Sequence, residues 1–212
     1  AERQWSIFLD VVETLRRQGV QVPWVHGANS AATLRWPGMH GDQVRVGLAL
    51  YGVAPGPGPA DLHPALTVRS AVAQVKHVGP GFAVGYGETF RTKAPAVLAT
   101  VPIGYADGYR RALSNRGEAL IAGLRARVAG RVSMDQTVFV LPDGADVRVG
   151  DEVILLGQGR GGAVTVSDWA AWADTISYEV FCGLSARVPR VYRIGSEIRH
   201  QRAIDANFWA GL

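Results

Sequence analysis

The chain has 212 residues, 48% hydrophobic and 19% charged, which is long and apolar enough for a buried core and excludes a disordered protein. We expect neither a membrane span nor a signal peptide, since no apolar run approaches roughly 18 residues. The net charge of +4 comes from scattered arginines, which favours a small anionic ligand over nucleic acid. The single cysteine, Cys182, excludes an internal disulfide and is typical of a reducing cytoplasm.

The first fifty residues alternate between predicted helices and strands. A helix ending near Gly19 is predicted from apolar side chains spaced three or four residues apart, namely Trp5, Phe8, Val12 and Leu15. Asn29 and Ser30 can cap a second helix over residues 30–34, and strands are predicted at residues 20–26 and 44–51. Two strands cannot form a stable parallel sheet alone, so this segment is expected to be the end of a larger α/β fold.

The composition changes at residues 54–60, a stretch of alternating Pro and Gly that is typical of a linker. Beyond it, strands are predicted at residues 65–76, 96–102, 119–122, 126–132, 137–141, 152–156 and 188–194. A helix capped by Ser167 is predicted to carry Trp169, Trp172 and Ile176 on one side. This spacing favours an antiparallel barrel or sandwich, so we predict two domains, residues 1–55 and 62–212.

A candidate anion site follows the first predicted strand, where His26 precedes Asn29 and Ser30 at the start of a helix. Backbone N–H groups at a helix start, together with a serine hydroxyl, suit a phosphate, and Gly47 would let the backbone approach it closely. On spacing alone, a helix cap at Ser30 and a packing glycine at Gly47 explain the pattern as well.

Seven motifs, in order along residues 1–193, resemble those of the alanine racemase family. They occupy residues 26–32, 44–55, 84–89, 102–108, 130–136, 175–180 and 187–190. The resemblance implies the last strands of a (β/α)8 barrel followed by a predominantly β C-terminal domain. It also implies pyridoxal 5'-phosphate as cofactor, interconversion of L- and D-alanine for peptidoglycan precursors, and a head-to-tail homodimer.

The resemblance implies cofactor contacts for six residues: phosphate for Ser30, Tyr178, Gly47 and Leu48, the pyridine nitrogen for Arg45, and a supporting hydrogen-bonded relay for His26. A guanidinium is always protonated, so the ring nitrogen opposite Arg45 would stay unprotonated, which suits proton transfer. The barrel-type decarboxylases typically place a carboxylate there, and Arg45 argues against them.

The same resemblance implies that Tyr86 is the base that removes the α-proton of L-alanine on one face. A free tyrosine is protonated at neutral pH, so this role requires a nearby cation. Tyr105 would narrow the entrance, and the Met134 backbone N–H would bind the substrate carboxylate; all three would complete the partner's site. Ser133 stands where the family often carries cysteine. Without the motifs, turn or packing roles explain these residues equally well.

Racemization with pyridoxal phosphate also requires a lysine that holds the cofactor covalently and acts as the second base. The chain has two lysines, Lys76 and Lys93, and neither resembles the family's lysine motif, so both are expected to be solvated. We therefore predict that the chain alone neither holds the cofactor covalently nor racemizes, and that a companion N-terminal half could supply the lysine. Alternatives are a racemase of another small amino acid such as serine, or a non-catalytic β-rich dimerization module.

Overall fold

The computed structural model describes residues 1–56, 61–195 and 197–202, which form two compact units. Unit 1 spans Ala1–Leu66 and unit 2 spans Thr67–Leu212. Of the predicted linker at 54–60, residues 57–60 lie outside the described residues. None of the described helices is both long and apolar enough to cross a membrane.

Unit 1 contains the two predicted helices, α1 (Glu2–Arg17) and α2 (Ser30–Arg35). Helix α1 buries Val12, and its Trp5 and Phe8 rings pack 5.3 Å apart between centroids. Asn29 caps α2, because its Oδ1 accepts a hydrogen bond from the Ala32 N–H at 3.0 Å. The spacing of apolar residues and the capping residue therefore predicted both helices correctly.

The two strands predicted in unit 1 do not form a regular ladder. The described residues there show one parallel bridge, between Asn29 and Arg45, and Leu48–Tyr51 is a 3-10 helix where a strand was predicted. Asp42 accepts the Val25 N–H through its carboxylate at 2.8 Å and donates its own N–H to the Val25 carbonyl. The Val25 N–H therefore bonds to a side chain and not to a backbone carbonyl of a neighbouring strand. The two segments lie side by side without regular parallel pairing.

Unit 2 is built mainly of antiparallel strands. In chain order they are β1 (Val68–Ala71), β2 (Gln74–Val78), β3 (Ala83–Val84), β4 (Phe90–Arg91), β5 (Ala96–Val101), β6 (Glu118–Ile121), β7 (Leu124–Val128), β8 (Thr137–Val140), β9 (Glu152–Gly159), β10 (Gly162–Val164), β11 (Arg190–Ile194) and β12 (Glu197–Arg202). Within the described part, eight strands form a sheet in the order β1-β9-β6-β7-β8-β5-β2, with β10 added to β9. Strands β3 and β4 form one two-stranded hairpin, and β11 and β12 form another.

The prediction of one continuous strand at 65–76 is wrong, because this segment contains parts of two strands that pair with different neighbours. Strand β1 pairs with β9, whereas β2 pairs with β5 at the other end of the sheet order. Between them the Val72 N–H donates to Asp151 and the Ala73 N–H donates to Thr100. The apolar pattern continues through this switch, so the sequence gives no sign of it. The short strands β3, β4 and β10 and the final strand β12 were not predicted.

Helix α3 (Val166–Trp172) begins two positions earlier than a Ser167 cap would place it. Thr165 caps it by accepting the Asp168 N–H, and the Asp168 carboxylate accepts the Thr165 N–H in return. This reciprocal pair of hydrogen bonds is a capping box, and it stabilises a helix start at Thr165 more than a single Ser167 cap would stabilise a later start. The helix ends at Trp172, so Ile176 lies outside it, before α4 (Ser177–Gly183).

Three aromatic side chains occupy the core of unit 2. The Tyr109 ring meets Trp169 edge-on at 5.0 Å and lies 6.3 Å from Phe139. The indole N–H of Trp169 donates to the Leu155 carbonyl of β9 at 2.7 Å, which attaches α3 to the sheet. Tyr109 directly follows the segment that carries Tyr105, so that segment is anchored in the core.

Candidate functional site

Ser30 is the centre of the candidate phosphate site in unit 1. Its side-chain oxygen accepts hydrogen bonds from the backbone N–H groups of Gly47 at 2.9 Å and Ala49 at 3.4 Å. Ser30 is buried, yet its own O–H has no acceptor among the described residues. The Leu48 N–H likewise has none in this part of the chain. The arrangement therefore gathers donors that an anionic group can use.

Gly47 leaves open space at the same place. A Cβ built on Gly47 would have no atom within 4 Å, whereas one on Gly52 would lie 1.9 Å from the His63 carbonyl oxygen. Packing within the described protein therefore explains glycine at position 52 but not at position 47. The open space beside the Gly47 backbone suits the close approach of a ligand.

Arg45 and His26 line a cleft of about 500 Å³ in unit 1, together with the aromatic rings of Trp5, Phe8 and Trp36. The Arg45 guanidinium donates to the main-chain carbonyl of His26 at 3.4 Å. The contact between these residues thus uses the backbone of His26, and the relay through its imidazole stays a prediction. Aromatic side chains with a guanidinium beside them are a setting that suits an aromatic ring carrying an acceptor nitrogen.

Tyr178 lies in unit 2, half-exposed on α4. The next residue, Glu179, forms an ion pair with Arg110 at 2.7 Å, and the same guanidinium donates to the Glu179 carbonyl at 3.3 Å. Arg110 follows the segment of Tyr105 and Tyr109. The start of α4 is therefore joined to that segment by a two-point contact.

Tyr86 projects from a tight turn in unit 2 and is 75% exposed. Gly85 and Gly87 on either side both have φ +72°, a conformation that a residue with a Cβ adopts at a cost. Arg131 lies beside this turn, because a Cβ on Gly87 would be 3.5 Å from its Nε. Arg131 makes no ion pair in the described part of the chain, so it is a candidate for the cation that Tyr86 needs.

Tyr105 and Met134 lie on two neighbouring loops of unit 2, and both are exposed. The Tyr105 N–H donates to the Ser133 carbonyl and the Ala106 N–H donates to the Met134 carbonyl, each at 3.0 Å. A Cβ on Gly104 would lie 2.3 Å from both of these carbonyl oxygens, so only glycine permits this approach. The Met134 N–H has no acceptor among the described residues and is available to a ligand.

Three site residues escaped the sequence reasoning: Arg131, Arg187 and Asp107. Each lies in one of the seven motifs, but the residues that it contacts are far away in sequence. Arg187 contacts Asp107, 80 positions away, and Asp135, 52 positions away. A charged residue in a motif was the available signal, and only the folded chain identifies its partner.

The two lysines lie in unit 2, and both are exposed, as predicted. The Lys76 ammonium lies 4.6 Å from the centre of the Phe82 ring, and Lys93 follows β4. Neither follows a strand of unit 1, where the candidate phosphate site lies. The residues present fit the phosphate and the ring of pyridoxal phosphate, but they do not include a lysine placed to hold it.

The chain matches two family models along most of its length. Residues 1–55 match the N-terminal domain of alanine racemase, and residues 65–192 match the C-terminal domain of alanine racemase.

Curated relatives and solved structures agree with the family models. An alanine racemase of Symbiobacterium thermophilum is 48% identical over 84% of this chain and 48% of its own length. One of Halothermothrix orenii is 42% identical over 90% of this chain and 51% of its own length. The chain thus spans about half the length of the curated relatives it matches.

Among solved structures, alanine racemase of Bacillus anthracis with bound L-Ala-P has a TM-score of 0.88, with 37% identity over 95% of this chain and 53% of that chain. The enzyme from a D-cycloserine-producing Streptomyces lavendulae has a TM-score of 0.82, with 45% identity over 91% of this chain and 51% of that chain. These likenesses confirm the predicted fold class, barrel strands followed by a β-rich domain.

Proposed function

The chain belongs to the alanine racemase family, and from this premise we propose that it supplies half of a pyridoxal-phosphate-dependent site that interconverts L- and D-alanine. The observation that carries the proposal is the meeting of the Ser30 hydroxyl with the backbone N–H groups of Gly47 and Ala49. Bound L-Ala-P in the Bacillus anthracis relative favours alanine as the substrate.

The phosphate would be held by the Ser30 O–H and the Leu48 N–H beside the Gly47 backbone, while the Gly47 N–H holds the Ser30 oxygen in place. These donors are neutral, so they orient the phosphate through hydrogen bonds rather than by net charge. The open space at Gly47 allows the phosphate oxygens to reach the backbone.

Arg45 would face the pyridine nitrogen from the wall of the cleft, with His26 behind it. Since a guanidinium can only donate, Arg45 would leave that nitrogen without a proton. When bound, the cofactor supplies an electron sink that makes the α-proton of the substrate removable. Arg45 would weaken that sink, which favours return of the proton over side reactions.

Tyr86 would take or return the α-proton through its hydroxyl oxygen, and the Arg131 guanidinium lies beside its turn. The Met134 N–H would bind the substrate carboxylate, and Tyr105 would narrow the entrance to the site. We propose that Tyr86, Tyr105 and Met134 act in the site of the partner subunit in a head-to-tail homodimer, in the cytoplasm.

The 212-residue chain by itself is proposed to be inactive, because neither Lys76 nor Lys93 belongs to the candidate site. The proposal is tested first by titrating pyridoxal 5'-phosphate into the chain and following the cofactor's absorbance. We expect weak, reversible binding that Arg45→Ala reduces and that Arg3→Ala, on exposed helix α1, leaves unchanged. No binding, or binding indifferent to Arg45, would instead indicate a non-catalytic β-rich module.

A second experiment co-expresses the chain with the preceding half of the Symbiobacterium thermophilum relative, which is 48% identical over the matching part. We expect D-alanine to form from L-alanine only when both halves are present, and Tyr86→Phe to abolish it. Racemization by the chain alone would contradict the proposed need for a lysine in trans. Comparing L-serine with L-alanine as substrates separates alanine racemase from a racemase of another small amino acid.

A further inference from the structure

Arg187 joins the two loops that carry Tyr105 and Met134. Its guanidinium donates from Nε to the Asp107 carboxylate at 2.7 Å and from Nη2 to the Asp135 carboxylate. Asp107 lies two residues after Tyr105, and Asp135 directly follows Met134. One planar side chain from a third segment thus bridges both loops.

The Asp107 carboxylate is the more deeply held of the two, with 15% of its side chain exposed. Its second oxygen accepts the Gly104 N–H at 2.8 Å, and its own carbonyl accepts the Ser185 N–H at 3.0 Å. Asp107 therefore fixes the turn that contains Tyr105 and also ties it to the segment of Arg187. Losing the guanidinium would leave this carboxylate with one hydrogen-bond donor among the described residues, the backbone N–H of Gly104.

The bridge complements the backbone contacts between the two loops. Those contacts pair the N–H groups of Tyr105 and Ala106 with carbonyls at Ser133 and Met134. They leave the Met134 N–H pointing to no acceptor among the described residues. Asp135, held by Arg187, directly follows Met134, whose carbonyl accepts the Ala106 N–H.

We propose that Arg187 is a positioning residue that holds the Met134 N–H and the Tyr105 side chain in one arrangement suited to a small carboxylate substrate. This rests on the proposed function of those two residues. An arginine suits the role because its rigid fork presents two N–H groups to two carboxylates at once. A lysine, as a compact point charge, would hold one carboxylate well and the other poorly.

The small contribution of the Arg187 ion pairs to folding stability distinguishes a positioning role from a role in stabilising the fold. The Arg187 side chain is 41% exposed, and exposed ion pairs contribute little to the stability of a folded protein. Its two carboxylates raise the pKa of the Arg187 guanidinium further above its usual value, so it stays charged at any working pH. Removing it should therefore alter the geometry of the loops far more than the stability of the unit.

The chain has two methionines, Met39 in unit 1 and Met134, so labelling with ¹⁵N-methionine yields two backbone amide signals. We expect Arg187→Gln to shift and broaden the Met134 signal while Met39 is unchanged, and Arg187→Lys to restore it in part. The control is Arg148→Gln, which removes an ion pair with Asp146 in an exposed turn and should leave both signals unchanged. Met39→Leu assigns the two signals.

The change in Tm should stay below about 4 °C for each arginine variant. The proposal is overturned if the Met134 signal does not respond to Arg187→Gln, or if both signals change together with a large loss of Tm. In the co-expressed enzyme, Arg187→Gln should raise the KM for alanine about tenfold with a much smaller change in kcat. A lower kcat at unchanged KM would count against positioning. If the two co-expressed halves show no racemization, the proposed function is contradicted. The amide signals of Met134 and Met39 test the role of Arg187 independently of that result.

Discussion

The Oγ of Ser30 accepts the Gly47 N–H at 2.9 Å, although the two residues are 17 positions apart in sequence. This bond joins the start of α2 to the backbone inside the segment predicted as the second strand, residues 44–51. It places a hydroxyl donor next to the Leu48 N–H, which has no acceptor among the described residues, where a phosphate needs both donors together.

Ser30→Ala is expected to lower the affinity of the chain for pyridoxal 5'-phosphate by about tenfold, because a donor to the phosphate is lost. Titration followed by fluorescence measures this. Pyridoxal, which lacks the phosphate, should bind both forms alike, and Ser6→Ala on exposed α1 serves as the matched control. Equal losses for pyridoxal and its phosphate would contradict a phosphate role for Ser30.

Tyr109→Phe is expected to raise the free energy of unfolding by about 1 kcal/mol. The Tyr109 hydroxyl is fully buried and has no hydrogen-bond partner in the described part of the chain, so its removal relieves an unpaired polar group. Tyr109→Ala should instead cost about 3–5 kcal/mol, since it leaves a cavity beside Trp169. Urea denaturation measures both. A less stable phenylalanine variant would show that the hydroxyl has a partner.

The same tyrosine predicts a loss of stability in alkaline solution. Burial, and then the negative charge of Glu118, raise the pKa of Tyr109 well above its ordinary value of 10.0. The folded state therefore keeps a proton that the unfolded state releases above about pH 10. Stability from this group is complete below that pH and falls by up to about 1.4 kcal/mol per pH unit above it.

Urea denaturation between about pH 9 and 11 tests this dependence. The stability of Tyr109→Phe should fall less steeply with pH than that of the unaltered chain. Parallel curves for the two proteins would show that Tyr109 does not cause the alkaline loss.

Gly104→Ala is expected to separate the loops of Tyr105 and Met134 and to cost about 1–3 kcal/mol of unfolding free energy. The added Cβ would meet two backbone carbonyl oxygens at 2.3 Å, and neither can move without breaking a hydrogen bond. Gly79→Ala is the control, because a Cβ there meets nothing within 4 Å. Thermal unfolding compares the two. Similar Tm values for both variants would mean that the loops yield easily.

Local patterns predicted most of the secondary structure, because helix periodicity and strand alternation act within a few residues. The apolar spacing of α1 and the Asn29 cap of α2 are examples, since both depend on neighbours within one or two turns. At the switch from β1 to β2, distant partners decided. The Val72 N–H donates to Asp151, next to β9, and the Ala73 N–H donates to Thr100 of β5, and three strands lie between β9 and β5 in the sheet order.

The sequence by itself determined the family, through seven ordered motifs, and the scarcity of lysine, because residue identity and order need no folding. It also named the chemical groups of the candidate site, from Ser30 to Tyr178. Only the tertiary structure decided which of these groups meet: Ser30 with Gly47, and Arg187 with both Asp107 and Asp135. Such contacts depend on where a chain returns after tens of residues, and no local preference of the residues encodes that return.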